Sequence, residues 1–302
     1  IGDWQLKSAA PLMLSASGIN LNSLCLQQQT AQLCSSVAWD DKTRQGDFTL
    51  TQFPLSLLSP WLPPDLKLDG VAEGTGKFSY ASSDQLIGHA NINLLPGAIS
   101  YPILEGERDH WEYRGGTLAL KSDNQGVEAS TSLRVSNGDH IRGRVHLPGA
   151  KLPTLKSHQP LWAEAQLKVH DLGLLEILLP DVQDMKGEVE INLNANGTLN
   201  QPKISGHASL KDGALRIPRL GLSIEKLTAA AQNDGHDKLS FRLDAHSGEG
   251  TLAIQGNTQL DSAEGWPTHL SIQGDAFEVS RIPEARVEIS PKLKVHIQKR
   301  TI

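Results

Sequence analysis

Apolar residues recur at every second position along most of this chain, and that alternation limits its fold more than any other feature. Val189, Ile191, Leu193 and Ala195 alternate with Glu188, Glu190, Asn192, Asn194 and Asn196. The same period returns in Leu239, Phe241 and Leu243, in Leu252 and Ile254, in Leu270 and Ile272, and in Leu293, Val295 and Ile297. A side-chain period of two belongs to a strand with one apolar and one polar face. Few segments have the helical period needed to cover such faces, so the fold class expected is all-β. What lies against the apolar face then decides the function.

The alternating runs are separated by clusters of glycine, asparagine and aspartate. These are Gly46-Asp47, Asp69-Gly70, Asp123-Asn124-Gln125-Gly126, Asn137-Gly138-Asp139, Asn196-Gly197, Asp212-Gly213, Asn233-Asp234-Gly235 and Ser247-Gly248. Glycine and asparagine tolerate the positive φ of tight turns, so the clusters are expected at strand ends. At about 12 to 14 residues per strand and turn, the chain holds roughly 20 strands. Spaced by about 4.8 Å, they would extend on the order of 100 Å, and an open sheet of that length should curl.

The chain also repeats itself. Leu57, Pro63 and Gly70 recur as Leu174, Pro180 and Gly187, Gly88-His89 recurs as Gly206-His207, and Pro102 recurs as Pro218. Repetition over so long a period points to stacked β modules that touch mainly their neighbours. The expected organisation is one elongated β unit over 1–302, with modules near 54–150 and 171–260 and a further module opening at 261–302. A division into two domains fits the length equally well. Two leucine-rich pieces, Leu57–Pro63 and Leu174–Pro180, are the helix candidates, the second capped by Asp171 and ended by Pro180. They are expected to be short connectors packed on the sheet rather than lids or membrane-touching segments.

Charge and length exclude several classes. A formal net charge of −6, with Lys and Arg spread through the 302 residues, gives no continuous basic surface. The local excess at Lys292, Lys294, Lys299 and Arg300 lacks interleaved aromatics, which argues against nucleic acid. No run reaches the roughly 20 apolar residues of a membrane-spanning helix, and no signal core follows Ile1-Gly2. With no initial Met and an alternating pattern running up to Ile302, the sequence is expected to be a piece of a longer chain.

Cys25 and Cys34 are the two cysteines. Their spacing suits neighbouring strands joined by a polar turn, which leaves two readings open: a disulfide made in an oxidising compartment, or two reduced, buried thiols. Two cysteines this far apart with no nearby histidine do not make a zinc set. The histidines fall in no metal spacing, and neither a Gly-x-Ser-x-Gly elbow nor a phosphate-cradling glycine loop is present. Glu105, Glu107, Asp109 and His110 form a polar cluster with acid–base potential, for which a solvated loop is the simpler reading. Asn196-Gly197-Thr198 matches a glycosylation acceptor, a commonplace in turns. Trp4, Trp39, Trp61, Trp111, Trp162 and Trp266 make no regular file of stacking platforms and are expected at module joints. No catalytic site, metal or cofactor is expected.

Several motifs resemble the AsmA-like family. They are Leu57 to Gly70 and its copy Leu174 to Gly187, Gly206-His207-Ala208 to Pro218, and Trp266-Pro267 followed by Gly274-Asp275-Ala276-Phe277. The most specific is Arg281-Ile282-Pro283-Glu284-Ala285-Arg286-Val287-Glu288-Ile289-Ser290-Pro291-Lys292-Leu293. The resemblance rests on the order of motifs from about residue 40 onward. It implies a periplasmic protein of Gram-negative bacteria, anchored in the inner membrane, whose β-taco sheet encloses an apolar groove. It also implies phospholipid movement between the two membranes, and work with the outer-membrane partner TamA in assembling outer-membrane proteins such as autotransporters.

The fold expected is therefore an elongated curled β-sheet, a β-taco or open solenoid-like form, with an apolar inner groove and one or two short helical connectors. Ile191, Leu193, Leu210, Leu215, Ile217, Leu239, Phe241, Leu243, Leu252, Ile254, Leu270 and Ile272 are expected to line the groove and to carry phospholipid acyl chains without catalysis. The same residues would equally fill a closed core. The second functional reading is a scaffold that offers sheet edges to unfolded outer-membrane strands. The third, action on polysaccharide, needs a carboxylate pair beside an aromatic groove, and neither is displayed.

Overall fold

The computed structural model describes residues 3–62, 66–81, 85–102, 108–135, 138–172, 179, 181–235, 237–260 and 266–298. The chain packs as two units, Ile1–Ala163 with Asn196–Pro202 and Glu164–Ala195 with Lys203–Ile302. Both consist of antiparallel strands joined by short turns, as an all-β chain requires.

The first unit contains β1 (Gln5–Leu6), β2 (Leu12–Ser15), β3 (Gly18–Gln28), β4 (Ala31–Trp39), β5 (Arg44–Pro54), β6 (Lys67–Asp69), β7 (Val71–Ala81), β8 (Gln85–Leu94), β9 (Gly97–Pro102), β10 (Arg108–Asp123), β11 (Gly126–Val135) and β12 (His140–Pro148). The ladder runs β3, β4, β5, β7, β8, β10, β11, β12. β1 and β2 lie along β3. The first half of β10 pairs with β9, which pairs with β6. Val127, Leu147 and Ala150 bury a small core together with Leu120, Leu152 and Leu161.

Most of the second unit is β13 (Pro160–Asp171), β14 (Gln183–Thr198), β15 (Gln201–Ile217), β16 (Leu222–Asp234), β17 (Lys238–Ser247), β18 (Gly250–Gln259), β19 (Thr268–Asp275), β20 (Phe277–Ile282), β21 (Ala285–Ile289) and β22 (Lys292–Ile297). Its ladder runs β15, β16, β17, β18, β19, β22. β20 and β21 pair with each other and form a separate hairpin.

Each unit contains a sheet corner. In the first, β6 passes into β7 through Gly70 at φ +128, a value that costs a side-chain-bearing residue dearly. A Cβ on Gly70 would stand 3.3 Å from the Cα of Gly97 and 2.5 Å from the hydroxyl of Tyr113. That hydroxyl donates to the carbonyl of Asp69 at 3.0 Å. Tyr113 is buried, and burial first, then the Asp69 carboxylate, pushes its phenol above its ordinary value. In the second unit Gly187 sits at φ +135, and its Cβ would stand 3.0 Å from the Cα of Gly213 and 2.7 Å from Leu210 Cδ1. β15 is bulged between Leu210 and Leu215 at this point.

Several turn expectations need correction. Asp123–Gly126 and Ser247-Gly248 do join hairpins. Gly46-Asp47 and Asn196-Gly197, however, lie inside β5 and β14, Asp212-Gly213 forms the bulge in β15, and Asp69-Gly70 is the corner. Glycine within a strand marks a bulge or a close approach as readily as a turn. The helix candidate Leu57–Pro63 becomes a 3-10 turn over Leu55–Trp61 with Pro60 inside it, since proline removes the donor an α-helix would need. Within Leu174–Pro180, residues 174–178 and 180 lie outside the described residues, as do Glu105 and Glu107 of the polar cluster. His110 is exposed, 3.7 Å from Glu112.

Candidate functional site: an apolar sheet face

Strand register decides which side chains share a face, because directly opposed residues of an antiparallel pair point the same way. One row across the second unit reads Leu210, Ala229, Leu243, Ile254, Ile272, Leu293. Next to it runs Ala208, Ala231, Phe241, Gly256, Leu270, Val295. Leu252 opposes Ala245, and Leu239 opposes Thr258. Leu210, Leu239, Phe241, Leu243, Leu252, Ile254, Leu270 and Ile272 therefore stand together on one apolar face.

The opposite face is polar. Its rows include His207, Gln232, Ser240, Asn257, His269 and His296, and also Arg242, Gln255, Ser271 and Lys294. Asn192 reaches His207 at 3.1 Å, so Ile191 and Leu193, one position to either side in β14, point to the apolar face. Glu188 shares the polar side and accepts from Lys168 at 3.1 Å and His170 at 2.8 Å. Those two partners, Lys168 first, hold its carboxyl below the ordinary value. Arg242 lies on Asp244 at 2.7 Å, which lowers the Asp244 carboxyl.

Leu215 and Ile217 lie past the bulge on the same side of the sheet. They follow the bulge in β15, oppose Ile224 and Leu222, and line a short wall beyond the corner. Leu215 and Ile224 pack there against a core of Leu227, Ala245 and Phe277, joined by Leu210, Leu243, Leu252 and Val279. Phe277 and Val279 come from the β20–β21 hairpin, so the hairpin covers the Ala245 end of the apolar face. Burying those two side chains contributes on the order of 3–5 kcal/mol.

The hairpin carries its own polar centre. Glu278 is 4% exposed, and its Oε2 accepts from Arg281 at 2.7 Å and from Arg286 at 2.8 Å. Arg286 also reaches Glu288 at 2.7 Å. Arg281, and after it Arg286, hold the Glu278 carboxyl below its ordinary value against the opposing effect of desolvation.

Away from the hairpin the face is half-buried. Leu239, Phe241, Leu243, Ile254, Leu270 and Ile272 are all partly accessible, and Leu193 is 39% exposed. A groove of about 660 Å³ opens on the opposite, polar face, between the row of Gln232, Ser240, Asn257 and His269 and the row of Arg242, Gln255, Ser271 and Lys294. The Phe241 ring lies over Gly256, its tip 2.9 Å from where a Cβ would stand. The same device recurs in the first unit, where Phe48 covers Gly76 and Phe78 covers Gly88.

The first unit also presents an apolar face that the groove candidates omitted. One row is Leu26, Leu33, Leu50, Gly74, Ile92, Leu118, and the next is Leu24, Ser35, Phe48, Gly76, Ala90, Leu120. Cys25 opposes Cys34 in the intervening row, with Cα atoms 4.1 Å apart, and the two are joined as a disulfide. The bond therefore lies on the polar face. The alanines Ala208, Ala229 and Ala231 were missed as well; their signal is cross-strand opposition to Phe241 and Leu243, which no single strand displays.

Among the described residues no group of three or more His, Cys, Asp or Glu could hold a metal ion. No helix of the described residues is long and apolar enough to cross a membrane, which says nothing about strands.

Comparison with known proteins places this geometry in a family. Residues 1–210 match the family described as TamB, N-terminal domain, and residues 240–301 match the TamB C-terminal domain. A relative from Haemophilus influenzae, the translocation and assembly module subunit TamB, is 23% identical over 289 residues. That alignment covers 91% of this chain and 21% of the relative, so the chain spans about a fifth of the curated relative it matches. No solved structure matches the chain.

Proposed function

This chain belongs to the TamB family, and on that premise we propose that its apolar sheet face is a segment of a non-enzymatic conduit for phospholipid acyl chains. The conduit runs through the periplasm between the inner and outer membranes, in a full-length protein anchored in the inner membrane, and serves outer-membrane biogenesis together with TamA. The observation that carries this reading is the register, which joins Phe241, Leu243, Ile254, Leu270 and Ile272 into continuous apolar rows that remain partly accessible. Moving a lipid's chains through water costs about 0.8 kcal/mol per CH₂, on the order of 25 kcal/mol for two chains. Only an unbroken apolar path removes that cost, and head groups can stay in water beside it.

A photoreactive residue at Phe241, with Arg242 on the polar face as control, tests the proposal in cells. Lipid adducts at Phe241 alone are expected. Adducts at neither position in folded protein would refute the conduit. The second reading, a scaffold for outer-membrane β-barrel proteins, draws support from β22, whose described ladder partner is β19 on one side. It separates from the first through Phe241→Arg, which should block lipid adducts yet leave strand addition at an edge intact.

A further inference from the structure

We propose that the β20–β21 hairpin is a displaceable closure on the apolar face, occupying the Ala245 end until a ligand chain takes its place. This rests on the reading of that face as a lipid path.

Four features converge on it. First, the hairpin makes its ladder bonds to itself, while β19 and β22 on either side of it pair directly from Gln273–Lys292 to Thr268–Ile297. Lifting it leaves the ladder of the sheet intact. Second, Phe277 and Val279 pack into the apolar cluster of Leu227 and Ala245, as a ligand's methylenes would, while Glu278 lies against the bare backbone of Gly248. Third, Glu278, Arg281, Arg286 and Glu288 all lie within the hairpin. The buried carboxylate keeps both arginines when the hairpin moves, so no charge is stranded. Fourth, among the described residues the side-chain hydrogen bond from the hairpin to the wall runs from the Ser280 hydroxyl to the Leu220 carbonyl at 3.0 Å. There the chain passes so close to Gly221 that a Cβ would overlap the Arg281 carbonyl.

Thiol labelling of the full chain tests this, since Cys25 and Cys34 are bonded and silent. Phe241→Cys, on the open face, should react quickly with a maleimide, and Ala245→Cys, under the hairpin, slowly. Adding Phe277→Ala, or separately Gly221→Ala, should speed Ala245→Cys on the order of tenfold while Phe241→Cys and the strand circular dichroism stay unchanged, because labelling of an opened state follows its population. Vesicles of phosphatidylethanolamine with phosphatidylglycerol should shield Phe241→Cys and alter Ala245→Cys. If vesicles shield Phe241→Cys while Ala245→Cys answers to neither variant nor vesicles, the closure is overturned and the lipid path stands. If vesicles leave Phe241→Cys untouched, the lipid path falls and the closure role falls with it, whatever the hairpin's mobility.

Discussion

The two sheet corners use one backbone device and different coverings. Gly70 with Gly97 in the first unit, and Gly187 with Gly213 in the second, bring two backbones so close that a Cβ would stand 3.3 and 3.0 Å from the facing Cα. On the next strand Tyr113 opposes Gly97, and Leu227 opposes Gly213. The first corner is closed by the adjoining strand β10, through a phenol anchored to the Asp69 carbonyl. The second has an aliphatic side chain there and takes its cover from a remote hairpin through Phe277. Bending a strand needs a particular backbone, whereas covering the bend can be delegated. On the closure proposed above, the delegated cover lifts without breaking a tie such as the Tyr113 hydroxyl makes to Asp69.

The largest expected effect tests the shared device. Gly70→Ala and Gly187→Ala should each cost about 3–4 kcal/mol from forbidden φ and overpacking, read as shifts in urea midpoint. A cost at one position alone would end the equivalence of the corners. Leu227→Ala should cost roughly 2–4 kcal/mol and loosen the hairpin, seen as faster hydrogen exchange across 277–289 with the first unit unchanged. Tyr113→Phe removes only the anchor and should cost about 1 kcal/mol.

The smallest effects are pH responses of opposite sign. Tyr113 has a raised folded value, so its contribution is complete below the unfolded value of about 10 and is lost as pH rises through the folded one. Glu278 has a lowered folded value. Its contribution is complete above the unfolded value of about 4.3 and is lost as pH falls through the folded one. The first corner should therefore weaken in base and the hairpin in acid, and Tyr113→Phe and Glu278→Gln should each abolish one response. Unfolding midpoints across pH would show whether the two limbs separate in this way.

The alternation in Leu239, Phe241 and Leu243 was enough to assign one face of β17 from sequence, because side-chain parity is local. Parity survived across strands for eight of the twelve groove candidates by register, and for Ile191 and Leu193 through the Asn192–His207 contact. Leu215 and Ile217 follow the bulge, and Leu215 packs into the same cluster as Leu210, Leu243 and Leu252. The bulge at Asp212-Gly213 shifts the count there, and a glycine reads alike in a bulge and in a turn. The repeat flagged Gly70 and Gly187 as equivalent without revealing the bend they serve, since the close approach involves residues of another strand. The Arg281–Leu293 motif stood out, yet nothing local says that it leaves the sheet at Ala276 and folds back over β16 and β17. That choice is made by Phe277 finding Leu227 and Ala245.

On the proposed lipid path, the Phe241 ring tip over Gly256, with Phe48 on Gly76 and Phe78 on Gly88, bears on friction. A ring laid against bare backbone adds carbon to the surface without adding height, so a flexible hydrocarbon sliding past meets neither a ridge to climb nor a notch in which to lodge. A Cβ at Gly256 would meet the His269 carbonyl and then the Phe241 ring tip, so Gly256→Ala would shift strand and ring together and turn an even floor into a step. Transit would slow even though the surface stayed as greasy as before, because speed along such a floor depends on how level it is and not only on how well it wets.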